Sequence, residues 1–114
     1  MRYLRLILAF LIMCTSSNLI FAAETVKAAV GGINLNLGAG SENYYFISAT
    51  GNWITSDSGC SNPRYAMISV NHTMSSAVLS VALTSKSTQQ KISFVGTCPI
   101  DKNKMEITYI YFQE

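Results

Sequence analysis

The sequence is poor in the side chains that most enzymes use for catalysis. Histidine occurs once, as His72, and the six acidic residues are scattered, with no spacing that forces two of them together. A Ser-His-Asp triad or a Cys-His catalytic pair would need this histidine. It lies among polar residues just before a helix-like run, which favours a solvated or capping role. The glycine pairs do not precede a helix, so no phosphate loop is indicated. We therefore predict a protein that is not an enzyme and has no cofactor or metal, with a carboxylate pair for glycoside hydrolysis as the catalytic alternative.

Long hydrophobic runs are also missing. The apolar stretch Leu6–Met13 is shorter than the roughly 20 residues that a bilayer-spanning helix needs. Two arginines precede it and small residues follow at Ala22, which is the layout of a secretory signal peptide cleaved after that residue. A lipoprotein signal at Cys14 is the alternative, although the preceding methionine fits it poorly. The prediction is a signal peptide over residues 1–22 and one domain over residues 23–114, secreted or periplasmic and not membrane-spanning.

Charge of either sign is scarce, at 12% of the residues. Removal of the predicted signal peptide takes away two arginines, so the mature chain keeps one arginine and five lysines against six acids. A nearly neutral chain lacks the basic surface that is typical of a nucleic-acid-binding protein. We therefore predict no nucleic-acid partner. Little charge with much Ser, Thr and Asn is typical of exported β-rich proteins that face partner proteins or neutral ligands such as sugars.

Cysteines are few, and two of the three remain after signal removal: Cys60 and Cys98. An even pair in an exported chain predicts a disulfide. The rival interpretation, a metal or redox pair, lacks both a second His/Cys cluster and a C-x-x-C motif. A bridge that closes a loop of this length stabilises a domain by roughly 4 kcal/mol.

Alternating and β-branched runs predict a mainly β domain with a bulge or bend at Gly31-Gly32. The last strand is predicted to alternate strictly along its whole length. The order of strands and one helix is that of an oligonucleotide/oligosaccharide-binding (OB) barrel of five strands, with the helix between the third and fourth. A half-open antiparallel α+β sheet with one covering helix is the alternative. The predicted strands are Thr25–Val30, Ile33–Leu37, Tyr44–Ser48, Trp53–Thr55, Tyr65–Val70, Lys91–Thr97 and Met105–Gln113.

The predicted helix, Met74–Lys86, is apolar most of the way round. Leu79 and Leu83 extend the main apolar side, which consists of Met74, Ala77, Val78, Val81 and Ala82. Only a narrow stripe of hydroxyl side chains is polar. One sheet covers one side of a helix, so the remaining apolar surface predicts a homo-oligomer. The residues expected to border its interface or pore are Leu79, Leu83, Ser76 and Ser80.

Several segments resemble small exported bacterial proteins and the receptor-binding B subunits of subtilase-cytotoxin and pertussis-like toxins. The resemblance implies an OB barrel, a five-membered ring with helices lining the pore, a cell-surface glycan as ligand and a toxin A subunit as partner. The chain departs from the pattern at Ile47, where those subunits carry a cysteine, and the segment Lys27–Gly32 has no clear match to their sugar-contacting serine. No glycan-contact residue is therefore carried over. The similar segments are Tyr45–Ile47, Cys60, Arg64-Tyr65, Lys91–Cys98 and Glu106–Ile110.

Ligand contacts are predicted at Asn52, Trp53 and Tyr44. The sole tryptophan lies among turn residues and amides and would stack on a sugar face, while a place in the core is its ordinary interpretation. Of the neighbouring Tyr44 and Tyr45, one is expected to pack inward and the other to face out. The function predicted from the sequence is an exported, non-enzymatic binding module, a glycan- or receptor-binding subunit of the toxin-B kind. The alternative is a small periplasmic or secreted interaction protein with no glycan ligand.

Overall fold

The computed structural model describes residues 22–38, 42–56 and 59–112. The predicted signal peptide, apart from its last residue, lies outside this part of the chain. The described residues form a mainly β, α+β structure of six strands and one helix, in which no helix has the length and apolar character to cross a membrane. The elements are β1 (Ala23–Glu24), β2 (Val30–Asn36), β3 (Asn43–Ser48), β4 (Tyr65–Ser69), α1 (Ser75–Thr88), β5 (Ile92–Thr97) and β6 (Lys104–Phe112).

The six strands form one mixed sheet in the order β1-β5-β6-β4-β3-β2. All neighbours are antiparallel except β4 and β6, which are parallel. A parallel pair needs a long crossover, and the chain supplies it through α1 and β5. The prediction of a mainly β sheet with one helix is confirmed, and the helix does follow the strand that precedes β5.

A closed five-stranded barrel is not confirmed, because the two edge strands, β1 and β2, do not pair with each other. The predicted strand Thr25–Val30 is largely replaced by a connection that leaves the β5 edge and joins the β3 edge. Within this connection Ala28 exchanges two backbone hydrogen bonds with Ile92, both of 3.0 Å between nitrogen and oxygen. The bridge brings the edges close without forming a ladder, so the sheet is strongly curled but open. It also differs from the half-open antiparallel alternative in its parallel pair.

The predicted short strand Trp53–Thr55 is wrong. These residues lie in the loop before β4, where Trp53 N–H donates to Pro63 O at 2.9 Å and Thr55 makes a single isolated bridge to Thr25. The loop therefore satisfies its backbone groups internally and against the β1–β2 connection, not in the sheet.

The predicted bulge at Gly31-Gly32 is confirmed by a register shift between Val30 and Gly32. A Cβ atom on Gly31 would lie 2.6 Å from the Cα of Ala49. Only glycine permits this approach of β2 to the turn after β3.

A second bulge divides β6 and overturns the predicted strict alternation. The register of β5 on β6 shifts between Val95 and Gly96, so that Ile107 and Ile110 both pack against the core. Tyr109 and Tyr111 are exposed on the opposite face. At Gly96 an added Cβ atom would overlap the backbone carbonyl of β6, so the close approach depends on glycine.

The core lies between the concave face of the sheet and α1. Phe46 and Phe94 stack with ring centroids 5.9 Å apart, and Trp53 meets Phe94 edge-on at 4.8 Å. The indole Nε1–H of Trp53 donates to the carbonyl oxygen of Phe46 at 2.9 Å. This aromatic cluster joins the loop before β4 to both halves of the sheet.

Of the side that was predicted to be buried, the helix buries Val78 and Ala82 but not Met74 and Ala77. The residues facing the sheet are Ser75, Val78, Ala82 and Ser85, whereas Met74 is 56% exposed and Ala77 is exposed. The two serines are buried because the hydroxyl of each has a hydrogen-bond partner in the interior. Ser75 Oγ donates to the carbonyl of Val70 at 2.9 Å, and Ser85 is satisfied in the same way.

Ser85 ties the helix to the start of β2. Its Oγ accepts a hydrogen bond from the backbone N–H of Val30 at 3.0 Å and donates one to the carbonyl of Gln90 at 2.6 Å. The serine is fully buried, so no water replaces it as a partner.

Replacing Ser85 by alanine is expected to lower the free energy of unfolding by about 1–3 kcal/mol, because the buried Val30 N–H would lose its acceptor. Urea unfolding measures this difference. The control is Ser87→Ala, since Ser87 is exposed and its hydroxyl bonds only to the Leu83 carbonyl of its own helix. The control is expected to change stability by no more than about 0.5 kcal/mol. Equal losses in both variants would contradict the role given to Ser85.

Candidate functional site

The convex face of the sheet, opposite α1, carries a groove across β2, β3, β4 and β6. Its first part, the proximal depression, has a volume of about 390 Å³. Tyr45 and Tyr65 stand beside the amides of Asn34 and Asn36, and the lysine of β6, Lys104, closes one side. The lining is therefore mainly polar, with two aromatic rings and Leu35 as its apolar part.

Strand alternation places these side chains on the outer face. Tyr45 lies opposite Asn34 on β2 and opposite Met67 on β4. Its neighbours Tyr44 and Phe46 point the other way, into the core cluster. The prediction that one of the paired tyrosines packs inward and the other faces out is confirmed, and Tyr45 is the outward one.

The two tyrosines of the groove form an edge-to-face pair flanked by cations. The ring centroids of Tyr45 and Tyr65 are 5.2 Å apart with planes inclined by 68°. Lys104 Nζ lies 5.8 Å from the centroid of Tyr45, and Arg64 Cζ lies 5.3 Å from that of Tyr65. Each cation is attracted to the electron-rich face of a ring. These contacts hold both rings in defined orientations at the surface.

The parallel pairing of β4 and β6 brings Lys104 to this place. Tyr65 is the register partner of Lys104, and Met67 is that of Glu106. These pairs are far apart in the sequence and meet only because the crossover returns β6 beside β4.

Two further depressions continue the groove. The middle depression, of about 230 Å³, shares Tyr45 and Lys104 with the proximal one and is walled by Pro99 and Ile100. The distal depression, of about 220 Å³, lies where β4 and β6 separate after the Met67–Glu106 pair. It includes His72 and is also lined by Ile68 and Ile107, which pack on the core side. We call the three together the outer-face groove.

The charges of the groove balance. Lys104 in the lining and Arg64 over the Tyr65 ring supply two positive charges, while Asp101 and Glu106 in the middle depression supply two negative ones. A groove without excess charge gives no preference to a polyanion.

The disulfide lies at one end of the groove wall. Cys60 and Cys98 are bridged, with their Cα atoms 5.2 Å apart, which confirms the predicted pair. Cys98 immediately precedes Pro99 and Ile100, so the bridge anchors the start of the loop that walls the middle depression. Within residues 22–38, 42–56 and 59–112, no group of three or more His, Cys, Asp or Glu side chains is arranged to hold a metal ion.

Comparison with known proteins adds no relative. The chain matches no model of a known protein family, no curated protein and no solved structure. The resemblance to toxin B subunits therefore stays a prediction.

The predicted ligand contacts are not brought together. Trp53 is 1% exposed and packed in the aromatic cluster, so it has no free ring face for a sugar. Tyr44 packs against the core, and Asn52 is exposed in the turn before Trp53, outside the depressions described above. The residues that do form the groove, Tyr45 above all, are those whose outward direction depends on the pairing of the strands.

The predicted interface residues on α1 are divided between core and solvent. Leu79 is partly buried and packs against the core, whereas Leu83 is 50% exposed. Ser76 and Ser80 are exposed on the hydroxyl stripe, and Ser80 Oγ donates to the Ser76 carbonyl at 2.9 Å. The helix thus has one exposed leucine beside serines whose hydroxyls bond within the helix, and the homo-oligomer stays a prediction.

His72 lies at the start of the helix. It is exposed, and its Nδ1 accepts a hydrogen bond from the backbone N–H of Met74 at 3.0 Å. The bond lies in the turn before the helix, whose N-cap residue Met74 has no side-chain cap, so the exposed histidine agrees with the solvated role and not with the capping one.

Proposed function

We propose that this protein is an exported, non-enzymatic binding module whose outer-face groove binds a glycan. The observation that carries the proposal is the proximal depression, where the Tyr45–Tyr65 pair stands beside the amides of Asn34 and Asn36. No catalytic step is needed for this role.

The chemistry of the depression suits a sugar. A sugar ring has an apolar face of C–H groups and an edge of hydroxyls. An aromatic ring packs on the first, and an amide, which both donates and accepts hydrogen bonds, binds the second. Ligand sites generally combine such apolar surface with a few convergent polar groups.

The strand order supports an OB-like fold for the domain. Strands β2, β3, β4, β5 and β6 take the places of the five barrel strands, with the parallel β4–β6 pair and α1 before the fourth. OB folds bind oligosaccharides on the face of their second and third strands, which here are β3 and β4. The proposal extends the resemblance to toxin B subunits, with a cell-surface receptor glycan as ligand and a toxin A subunit and further copies of the chain as partners.

The disulfide supports an exported location. Disulfides persist in the oxidising environments outside the cytosol, such as the periplasm and the extracellular space. The proposed location is therefore secreted or periplasmic.

Replacing Tyr45 by alanine is expected to weaken glycan binding at least about tenfold, because its ring is one of the two in the proximal depression and also lines the middle one. Binding is measured on a glycan array and then by calorimetry with the best glycan found. The control is Tyr109→Ala, a tyrosine of β6 that is 63% exposed and outside the groove. Each variant loses one ring pair, Tyr45–Tyr65 or Tyr109–Tyr111, so each is expected to lose about 0.5–1.5 kcal/mol of stability. Binding is therefore compared at the same folded fraction.

Failure of the wild-type protein to bind any glycan on the array would remove the proposed function. It would favour the alternative, an exported interaction protein without a glycan ligand. A loss of binding in Tyr109→Ala equal to that in Tyr45→Ala would place the site elsewhere on the sheet.

A further inference from the structure

We propose that the ligand is a linear, uncharged oligosaccharide of at least three sugar units, laid across the outer-face groove with one unit in each depression. This inference rests on the proposed glycan-binding function and names the class of glycan.

The continuity of the groove is the first observation. The proximal and middle depressions share Tyr45 and Lys104, and the middle and distal depressions share Met67 and Glu106. At each boundary, two side chains thus line both of the neighbouring depressions. The three depressions are therefore neighbours along the sheet, close enough for one extended ligand to occupy all of them.

The sizes of the depressions are the second observation. The middle and distal ones, of about 230 and 220 Å³, are smaller than the roughly 300 Å³ at which pockets for drug-sized ligands begin. Neither encloses a whole ligand of that size by itself. A chain of small repeated units places one unit in each depression and combines the three.

The side chains at each position are the third observation. The proximal depression offers rings and amides, the middle one offers the apolar Met67 and Pro99 with two carboxylates, and the distal one adds the hydroxyl of Ser69 and the ring of His72. Apolar surface alternates with hydrogen-bonding groups, as the faces and edges of successive sugar rings do. Carboxylates accept hydrogen bonds from hydroxyls. With Lys104 in the same depression, Asp101 and Glu106 leave no excess positive charge to attract an anionic group, so the lining suits an uncharged chain.

Chain-length dependence tests the inference. Isothermal titration uses linear oligomers of one to four units of β-1,4-linked N-acetylglucosamine, α-1,4-linked glucose and β-1,4-linked mannose. At least one series is expected to gain affinity about tenfold per added unit up to three units, with little further gain at four, because one or two net hydrogen bonds are added per depression.

A variant of the shared boundary provides the second test. Glu106→Gln is expected to lower the affinity for the three-unit oligomer about tenfold. The affinity for the single unit is expected to fall several times less, since only the longer ligand reaches this side chain. The matched control is Glu24→Gln, an exposed carboxylate on β1 outside the groove, which is expected to change neither affinity.

The outcomes separate this inference from the function on which it rests. Equal affinity for one and three units, or equal losses for both in Glu106→Gln, would overturn the extended ligand and leave glycan binding intact. Binding of anionic glycans on the array with none of the three series bound would do the same. The absence of any glycan binding would overturn both.

Discussion

Replacing Trp53 by alanine is expected to destabilise the protein by about 3–5 kcal/mol, the range for deleting a large buried aromatic side chain. Trp53 is almost fully buried, meets Phe94 edge-on and donates its indole hydrogen bond to the Phe46 carbonyl. The substitution leaves a cavity in the core and removes this hydrogen bond. Since domains of this size have about 5–15 kcal/mol of stability in total, the variant is expected to be partly unfolded at moderate temperature.

Urea unfolding followed by circular dichroism measures the loss without relying on tryptophan fluorescence. The control is Ile54→Ala, the next residue in the same loop, whose side chain is 54% exposed. It is expected to change stability by about 0.5 kcal/mol or less. If Trp53→Ala retained wild-type stability while glycan binding was lost, the tryptophan would be a ligand contact and not a core residue.

Removing the disulfide is expected to cost about 4 kcal/mol, because the bridge closes a long loop, with its cysteines 38 positions apart, and thereby restricts the unfolded chain. The variant replaces both Cys60 and Cys98 by serine, so that no lone thiol remains to form intermolecular bridges. Its unfolding midpoint in urea is compared with that of the wild-type protein, both oxidised and after reduction by dithiothreitol.

Agreement between the double variant and the reduced wild-type protein is expected. A loss below about 1 kcal/mol in both would show that the loop before β4 and the β5–β6 connection are held mainly by the core. Because Cys98 precedes the wall of the middle depression, the double variant is also expected to bind long glycans more weakly than the wild-type protein does at the same folded fraction.

Local patterns predicted the elements but not always which side they bury. The helix was predicted within one or two residues of each end, yet its buried side was predicted only in part, at Val78 and Ala82. Hydrophobicity favoured Met74 and Ala77 as inner residues, while Ser75 and Ser85 are buried because the Val70 and Gln90 carbonyls accept their hydroxyl protons. Hydrophobic periodicity within the helix gives no information about hydrogen-bond acceptors that other segments of the chain provide.

The outer-face groove shows more clearly what local sequence patterns leave undetermined. Alternation in the sequence predicted that one of Tyr44 and Tyr45 faces outward but not which one. Lys104 becomes the neighbour of Tyr65 only through the parallel pairing of β4 and β6. Asn52 and Trp53 were chosen as candidate ligand contacts because they lie among turn residues. No strand pairing places them in the groove.

The sequence by itself determined the mainly β character, the single helix between the strands that begin near Tyr65 and Lys91, the Gly31-Gly32 bulge and the Cys60–Cys98 bridge. Each depends on residues close together or, for the bridge, on the one pair that the predicted signal peptide leaves. Only the tertiary structure decided that the sheet stays open, that β6 changes face at a bulge, and that two tyrosines and a lysine share one groove. These features depend on the register between strands distant in the chain, and register is set by the packing of the whole core, which no short window of sequence contains.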